Sequence, residues 1–255
     1  MMNWYGCWAL FKRESFRFLR VWGQTVGAPL ISALLYCIVF GGALGSRIGP
    51  TDGVPYLLFL IPGLAAMGMI QHSYQNTSSS LVQMRYIGML DADLLALPLT
   101  PFQVVLSFTG AAIIRGVLVG GVILVVARLF FSYGVAHPLL FVLAALMISA
   151  IFGLIGFIAG LWAKGFDNIS VISNFILTPM VYFGGVFFSI SMLPDNWQIV
   201  ARFNPIFYLV DLLRFSMTNV GQTTPLFSTL ATVGVLSGLF ILAVRLVRRG
   251  WRIKA

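Results

Sequence analysis

Acidic residues are scarce in this chain. Seven Asp and Glu stand against sixteen Lys and Arg in 255 residues, and charged residues of both signs amount to 9%. A soluble domain carries about a quarter charged residues, so a solvated globular surface is excluded. Two cysteines, Cys7 and Cys37, are too few for a disulfide framework and read as free thiols. The two histidines, His72 and His137, lie far apart, so no clustered metal ligands appear. The three lysines, Lys12, Lys164 and Lys254, lack the glycine pattern of a P-loop. Without that loop or any nucleophile–base constellation, the chain is not expected to be an enzyme. The net charge of +9 does not form one basic patch. The basic residues sit at the ends of apolar segments, as the positive-inside bias requires. Phospholipid headgroups, not nucleic acid, are therefore the expected acidic partner.

What the chain has in abundance is apolar side chain, at 59%. About 20 apolar residues carry a helix across the hydrocarbon core. Six such segments are legible: 24–44, 56–78, 102–126, 139–162, 169–188 and 225–244. The expected fold is all-α, a single polytopic transmembrane domain over 1–255 with no separate soluble domain. Residues 1–20 place Trp4, Trp8, Phe11, Ser15, Phe18 and Trp22 on one helical face and Arg13, Arg17 and Arg20 on the other. That pattern describes an interfacial helix. A cleaved signal peptide is disfavoured because the basic region is long and aromatic. Tyr36 before Cys37 also argues against a cleaved lipobox.

Residues 79–101 form the most polar internal stretch, with Arg85, Asp91 and Asp93, and end at Pro98-Leu99-Thr100-Pro101. Residues 189–222 mix Pro194, Asp195, Arg202, Asn204-Pro205, Asp211 and Arg214 with aromatics. They read as broken helices dipping into the outer leaflet. With both termini inside, the inner side holds eleven basic residues: Lys12, Arg13, Arg17, Arg20, Arg85, Lys164, Arg245, Arg248, Arg249, Arg252 and Lys254. The outer side holds four, Arg47, Arg128, Arg202 and Arg214. The count favours N-in and C-in.

Three features stand out within the spans. Arg115 lies about 13 residues into its helix, roughly 18–20 Å deep. A mid-bilayer charge is costly and faces the interior of a bundle. It reads either as a substrate-headgroup contact or gate, or as a structural arginine bonded to helix-end carbonyls or to an acid such as Asp211. The inner half of the second span turns polar at Gln71, His72, Ser73, Gln75, Asn76 and Thr77, and such groups need other helices or a wet cavity. The pairs Gly116/Gly120, Gly156/Gly160 and Gly234/Gly238 have the spacing that lets helices approach closely. No Asp or Glu falls inside a predicted span. That counts against a self-sufficient secondary transporter, which would want an acid for ion coupling. A non-transporting scaffold remains the other alternative.

Phe59-Leu60-Ile61-Pro62-Gly63-Leu64 resembles the second-helix motif of ABC-2 type export permeases. Leu177-Thr178-Pro179 with Gly184-Gly185-Val186-Phe187-Phe188 is similar to their fifth-helix signature. Leu193-Pro194, Trp197, Asn204-Pro205 and Tyr208 to Arg214 resemble the re-entrant region that follows, and Leu94 to Pro98 the end of their first cytoplasmic loop. In order and spacing the match covers nearly the whole chain and resembles the small six-helix permeases for nodulation-factor, polysaccharide and drug export. The resemblance implies a subunit of the bacterial inner membrane. Two copies would pair with two copies of a separate ATPase that binds ATP and Mg, with no cofactor in this chain. It implies that the amphipathic helix, with Arg13 and Arg17, and the loop with Arg85, Asp91 and Asp93 meet that ATPase. It further implies that Pro179, Gly184 and Gly185 with the re-entrant segment form an outer gate. Relatives often carry glutamates where Asp91 and Asp93 stand.

Overall fold

The structure, a computed structural model, describes residues 3–36, 38–40, 49–88 and 98–251. Cys37, Arg47, Asp91, Asp93, Arg252 and Lys254 lie outside the described residues.

The described chain is helical, and proline punctuates it. Helices α4 (Pro101–Phe130), α5 (Pro138–Trp162), α9 (Pro205–Thr218) and α10 (Pro225–Arg248) each begin on a proline. Proline at the first helical position loses no bond there and has its φ already set. At α4, Thr100 adds a reciprocal capping box with Gln103. At α9, Asn204 accepts from the Ile206 N–H at 3.0 Å. That helix ends where Asn219 turns left-handed at φ 59°.

Four helices are long and apolar enough to cross a membrane: α3 (Tyr56–Tyr86), α4, α5 and α10. A helix of 31 residues, as in α3, is about 46 Å long and exceeds the ~30 Å hydrocarbon core. The helix therefore continues through the first eight residues of the polar 79–101 stretch. The first apolar segment opens with a π turn at Gly23–Gly27 and continues as α2 (Ala28–Tyr36). The fifth runs as α6 (Phe166–Val171), a π turn (Ile172–Leu177) and α7 (Thr178–Phe183). Pro179 does not break this segment. The π turn just before it absorbs the missing N–H, and the Thr178 hydroxyl donates to the Ser173 carbonyl at 3.0 Å. The helix stops at Gly184–Gly185 instead, where Gly185 has φ +76°. The expected broken segment contains a short 3-10 turn (Ile190–Met192), α8 (Asp195–Arg202) and α9.

Helix α3 is the hub of the bundle, buried on nearly every side. The glycines explain how close its neighbours come. A Cβ on Gly156 of α5 would run into the Tyr74 carbonyl of α3, and one on Gly116 of α4 into the hydroxyls of Ser73 and Ser149. The pairs Gly116/Gly120 and Gly156/Gly160 thus pack within the chain. Gly234 and Gly238 meet nothing within 4 Å.

One apolar cluster joins Leu10 of α1 (Trp4–Leu19), Leu81 and Met84 of α3, Val104 of α4, Phe157 and Leu161 of α5 and Val247 of α10. It puts the end of α3, the start of α4 and the ends of α5 and α10 at one face of the bundle, beside α1. We call this the α1 end. Arg85, Lys164, Arg245, Arg248 and Arg249 belong to it with the arginines of α1, so the basic bias of the sequence has a geometric counterpart.

Candidate functional site

At the far end the two glycine motifs meet. A Cβ on Gly63 of α3 would sit 2.5 Å from the Val186 carbonyl oxygen, so only glycine admits the turn that follows α7. The backbone of that turn is held by side chains. Arg214 of α9 donates to the Gly185 carbonyl at 2.7 Å and to the Phe59 carbonyl at 3.2 Å, with its guanidinium 3.6 Å from the centre of the Phe59 ring. The Tyr56 hydroxyl donates to the Phe187 carbonyl at 3.0 Å, and the Asn204 amide to the Met180 carbonyl at 2.6 Å. Pro62 next to Gly63 leaves the Leu58 carbonyl without its helical donor, which loosens α3 where the turn is pinned. Arg214 is 2% exposed. Its donors go to carbonyls, which is how a buried guanidinium is accommodated.

Above this turn lies a polar clasp. Asp52, itself left-handed at φ 49°, accepts from Ser189 at 3.0 Å and from the Gln222 amide at 2.7 Å. Asp211 accepts from the N–H groups of Gln222 and Thr223 at 2.8 and 3.0 Å. The two acids thereby join the 49–54 loop, the 189–192 turn and the start of α10. Asp211 is committed here and forms no ion pair with Arg115.

Arg115 sits mid-helix in α4, 7% exposed, and its Nε has no hydrogen-bond partner. No described acid acts on it; the charge that does is Arg17. It lies within electrostatic range of His72 on α3, whose Nδ1 is also buried without a partner. The polar half of α3 splits between both expected fates. Ser73 donates to the Ala112 carbonyl at 3.2 Å and Thr77 to the Gly153 carbonyl at 2.7 Å, which ties α3 to α4 and α5. Gln71, His72 and Gln75 instead line a groove of about 400 Å³ between α2 and α3.

At the α1 end the face seated on the bundle is one that the aromatic and basic pattern did not single out. Cys7, Leu10, Glu14 and Phe18 are buried, while Trp4 and Trp8 point away at 55% and 64% exposure. Glu14, 1% exposed, accepts from Ser80 at 2.6 Å and from Arg17 at 3.2 Å. Arg17 also donates to the Asn76 carbonyl at 2.5 Å. Arg13 reaches Met84 and pairs with Glu14. Arg85 donates to the Ala163 and Leu161 carbonyls at 2.7 and 2.9 Å, capping the end of α5. The three described arginines assigned to partner contact therefore fasten α1, α3 and α5 together.

The structure gathers Gly184, Gly185 and the end of the Pro179 helix into one far-end site. It leaves Arg115 in a separate mid-bundle site and Arg13, Arg17 and Arg85 at the α1 end. Sequence reasoning missed Glu14, Tyr56, Asp52 and the role of Arg214. The i, i+3, i+4 run Cys7-Leu10-Glu14-Phe18 carried a signal for Glu14, and the Asp211/Arg214 spacing marked two charges on one helical face. Nothing local marked Tyr56 or Asp52. Among the described residues no three His, Cys, Asp or Glu converge to hold a metal.

The sequence profile described as "ABC-2 type transporter" matches residues 5–218. The chain is similar to the "Inner membrane transport permease YadH" of Escherichia coli K12, 33% identical over 98% of this chain and 97% of that one. It is also similar to "Nodulation protein J" of Rhizobium leguminosarum bv. viciae, 26% identical over 97% and 95%. The corresponding protein of Rhizobium meliloti is 26% identical over 83% and 80%. A profile match that spans both pinned glycine motifs, together with a relative 33% identical over nearly the full length of both chains, establishes that the chain belongs to the ABC-2 type transporter family and is a non-catalytic permease component.

Proposed function

We propose that this chain is the membrane subunit of an ATP-driven exporter that moves an amphipathic lipid, glycolipid or drug-like molecule outward from the cytoplasm or inner leaflet. It acts as a homodimer in complex with a separate ATPase. The chain crosses the inner membrane six times with both ends inside. The two further spans are the segment through α2 and the segment from α6 to α7. The clustering of basic residues at the α1 end supports that orientation.

The observation that carries the reading is the turn at 184–187. It is irregular backbone seated against Pro62–Gly63 and held by Arg214, Tyr56 and Asn204. Non-helical backbone at membrane depth persists only where protein or a cavity satisfies it. An element held by a few hydrogen bonds can exchange them in a second arrangement, which is what a gate requires. On this reading Gly184, Gly185 and the Pro179 helix form the outer closure. Arg13, Arg17 and Arg85 couple the ATPase to the bundle by fixing α1, α3 and α5 as one body, and Asp91 and Asp93 provide the direct contact.

The test is purification of tagged chain from its native membrane. An ATP-hydrolysing subunit is expected to co-purify and to be lost from Asp91→Ala/Asp93→Ala protein that still folds. A chain that drives transport by an ion gradient alone would overturn the reading.

A further inference from the structure

We propose that the groove between α2 and α3 is a binding site for the anionic headgroup of a single-chain amphiphile, held by Gln71, His72 and Gln75 in the positive potential of Arg115. The proposal deepens the export reading and rests on it only for how the ligand is moved onward.

Four observations converge on the groove. The first is its shape and depth: about 400 Å³, midway along the bundle, walled by Ala28, Pro29 and Ala33 of α2 and by Leu64, Met67 and Ile123. Such walls suit a hydrocarbon chain and not a solvated ion. The second is the polar stripe. Gln71, His72 and Gln75 recur at the spacing of one α3 face and open into the cavity, whereas Ser73 and Thr77 on the other faces are spent on carbonyls. Side-chain amides and an imidazole donate hydrogen bonds to oxyanions. The third is the pair of unsatisfied groups. The Arg115 Nε and the His72 Nδ1 are both buried without a partner. Unpaired polar atoms in a bundle interior are expensive; a headgroup in the groove would meet His72, which lines it, while Arg115, not itself part of the lining, would act on it through its field.

The fourth observation is the sign of the field. Arg115 has Arg17 as its charged neighbour and no described acid. Glu14, the nearest acid along the α3 stripe, is already paired with Arg13 and Arg17. Arg17 is thereby compensated, so Arg115 is the charge beside the stripe without a described anion, and it leaves a positive potential in a low-dielectric region. A phosphate, sulfate or carboxylate headgroup would neutralise it, a zwitterionic headgroup would do so weakly, and an uncharged sugar not at all.

The experiment uses the intact chain in nanodiscs of phosphatidylcholine. Displacement of a fluorescent lysophosphatidic acid is measured with lysophosphatidic acid, lysophosphatidylcholine, dodecyl maltoside and inorganic phosphate as competitors. Lysophosphatidic acid should compete at least 10-fold better than lysophosphatidylcholine, and dodecyl maltoside and inorganic phosphate should compete poorly. Arg115→Gln and Gln75→Leu should each weaken probe binding about 10-fold, while Arg115→Lys should retain most of it. Arg245→Gln, an exposed arginine at the α1 end, should leave it unchanged.

Thermal unfolding of each variant separates lost binding from lost fold. Equal competition by the two lysolipids, or equal losses in Arg115→Gln and Arg245→Gln, would overturn the proposal. Effective competition by inorganic phosphate would make the site one for a free anion and would also overturn it. None of these outcomes bears on whether an ATPase co-purifies, so the export reading stands or falls separately.

Discussion

Gly63 and Arg214 show how much single positions contribute. Gly63 admits the Val186 carbonyl where a methyl group would sit 2.5 Å away. The contact is backbone on backbone, so neither side yields by changing rotamer. Overpacking of this kind costs about 1–3 kcal/mol. Gly63→Ala is expected to lower the thermal midpoint of the purified protein by several degrees. Gly234→Ala, at a position with nothing within 4 Å, is expected to leave it unchanged or raise it slightly through helix propensity. Equal effects would mean that the close approach of α3 to the turn is absent.

Arg214 makes two charge-assisted bonds from a fork geometry that lysine cannot reproduce. Arg214→Lys should therefore destabilise the far end by about 1.5–3 kcal/mol. Limited proteolysis should show it as faster cleavage between residues 184 and 204, with cleavage elsewhere unaltered.

At the scale of elements, α1 is the informative case. Its sequence carries two overlapping patterns, an aromatic face and the stripe Cys7-Leu10-Glu14-Phe18. The aromatic one is louder because Trp4, Trp8 and Phe11 are large. The sequence therefore made an amphipathic helix legible but not the face that seats it, since a buried Glu14 reads as solvated until Ser80 and Arg17 are known to meet it. Pro179 was misleading for a related reason. A proline in a span implies a break, but a π turn next to it relieves the clash and the missing bond together, and no residue type encodes that turn. The long helices α3, α4, α5 and α10 were legible to within a few residues at their starts, because Pro101, Pro138 and Pro225 mark first helical turns and Pro55 precedes Tyr56. The end of α3 was not, because Ser78, Ser79 and Ser80 look like loop yet their hydroxyls are used by Tyr74, Gln75 and Glu14. Arg115 was visible as an anomaly, but the groove beside it required the packing of α2 on α3.

The seating of α1 gives a direct prediction. Cys7 Sγ lies 3.3 Å from Ser107 Oγ, so the two side chains meet where α1 packs on α4. In a Cys37→Ala background, Ser107→Cys should form an intramolecular disulfide with Cys7 under mild oxidation, read as a thiol loss of two per chain. If α1 instead lies free on the membrane surface, both thiols stay reactive. Glu14→Ala removes the acceptor for both Ser80 and Arg17 and leaves Arg17 half-buried without its acid. A cost of about 3 kcal/mol is expected for breaking a buried pair on one side, and Ser80→Ala in the Glu14→Ala background should add little, since the partners belong to one network.

At the scale of the whole molecule, the two ends of the bundle are fastened differently. The α1 end is closed by an apolar cluster and by arginines bonded to carbonyls. The far end is closed by the clasp of Asp52, Ser189 and Gln222 above the pinned turn. On the proposed export reading, motion enters at the α1 end and is expressed at the far end, through the helices that run between them. α3 joins both: Tyr56 and Gly63 hold the turn, while Asn76, Ser80 and Arg85 hold α1 and α5. That connection can be measured at the clasp. Asp52 and Ser191 approach to 3.5 Å. Asp52→Cys/Ser191→Cys, placed in a background without the native cysteines and assembled with the ATPase in nanodiscs, can lock the far end by oxidation. Disulfide formation is expected to be rapid without nucleotide and slowed in a vanadate-trapped state, with a fall in ATP hydrolysis of at least about 10-fold that reduction reverses. Disulfide formation at the same rate in both states, with hydrolysis unaffected by the lock, would contradict such a connection.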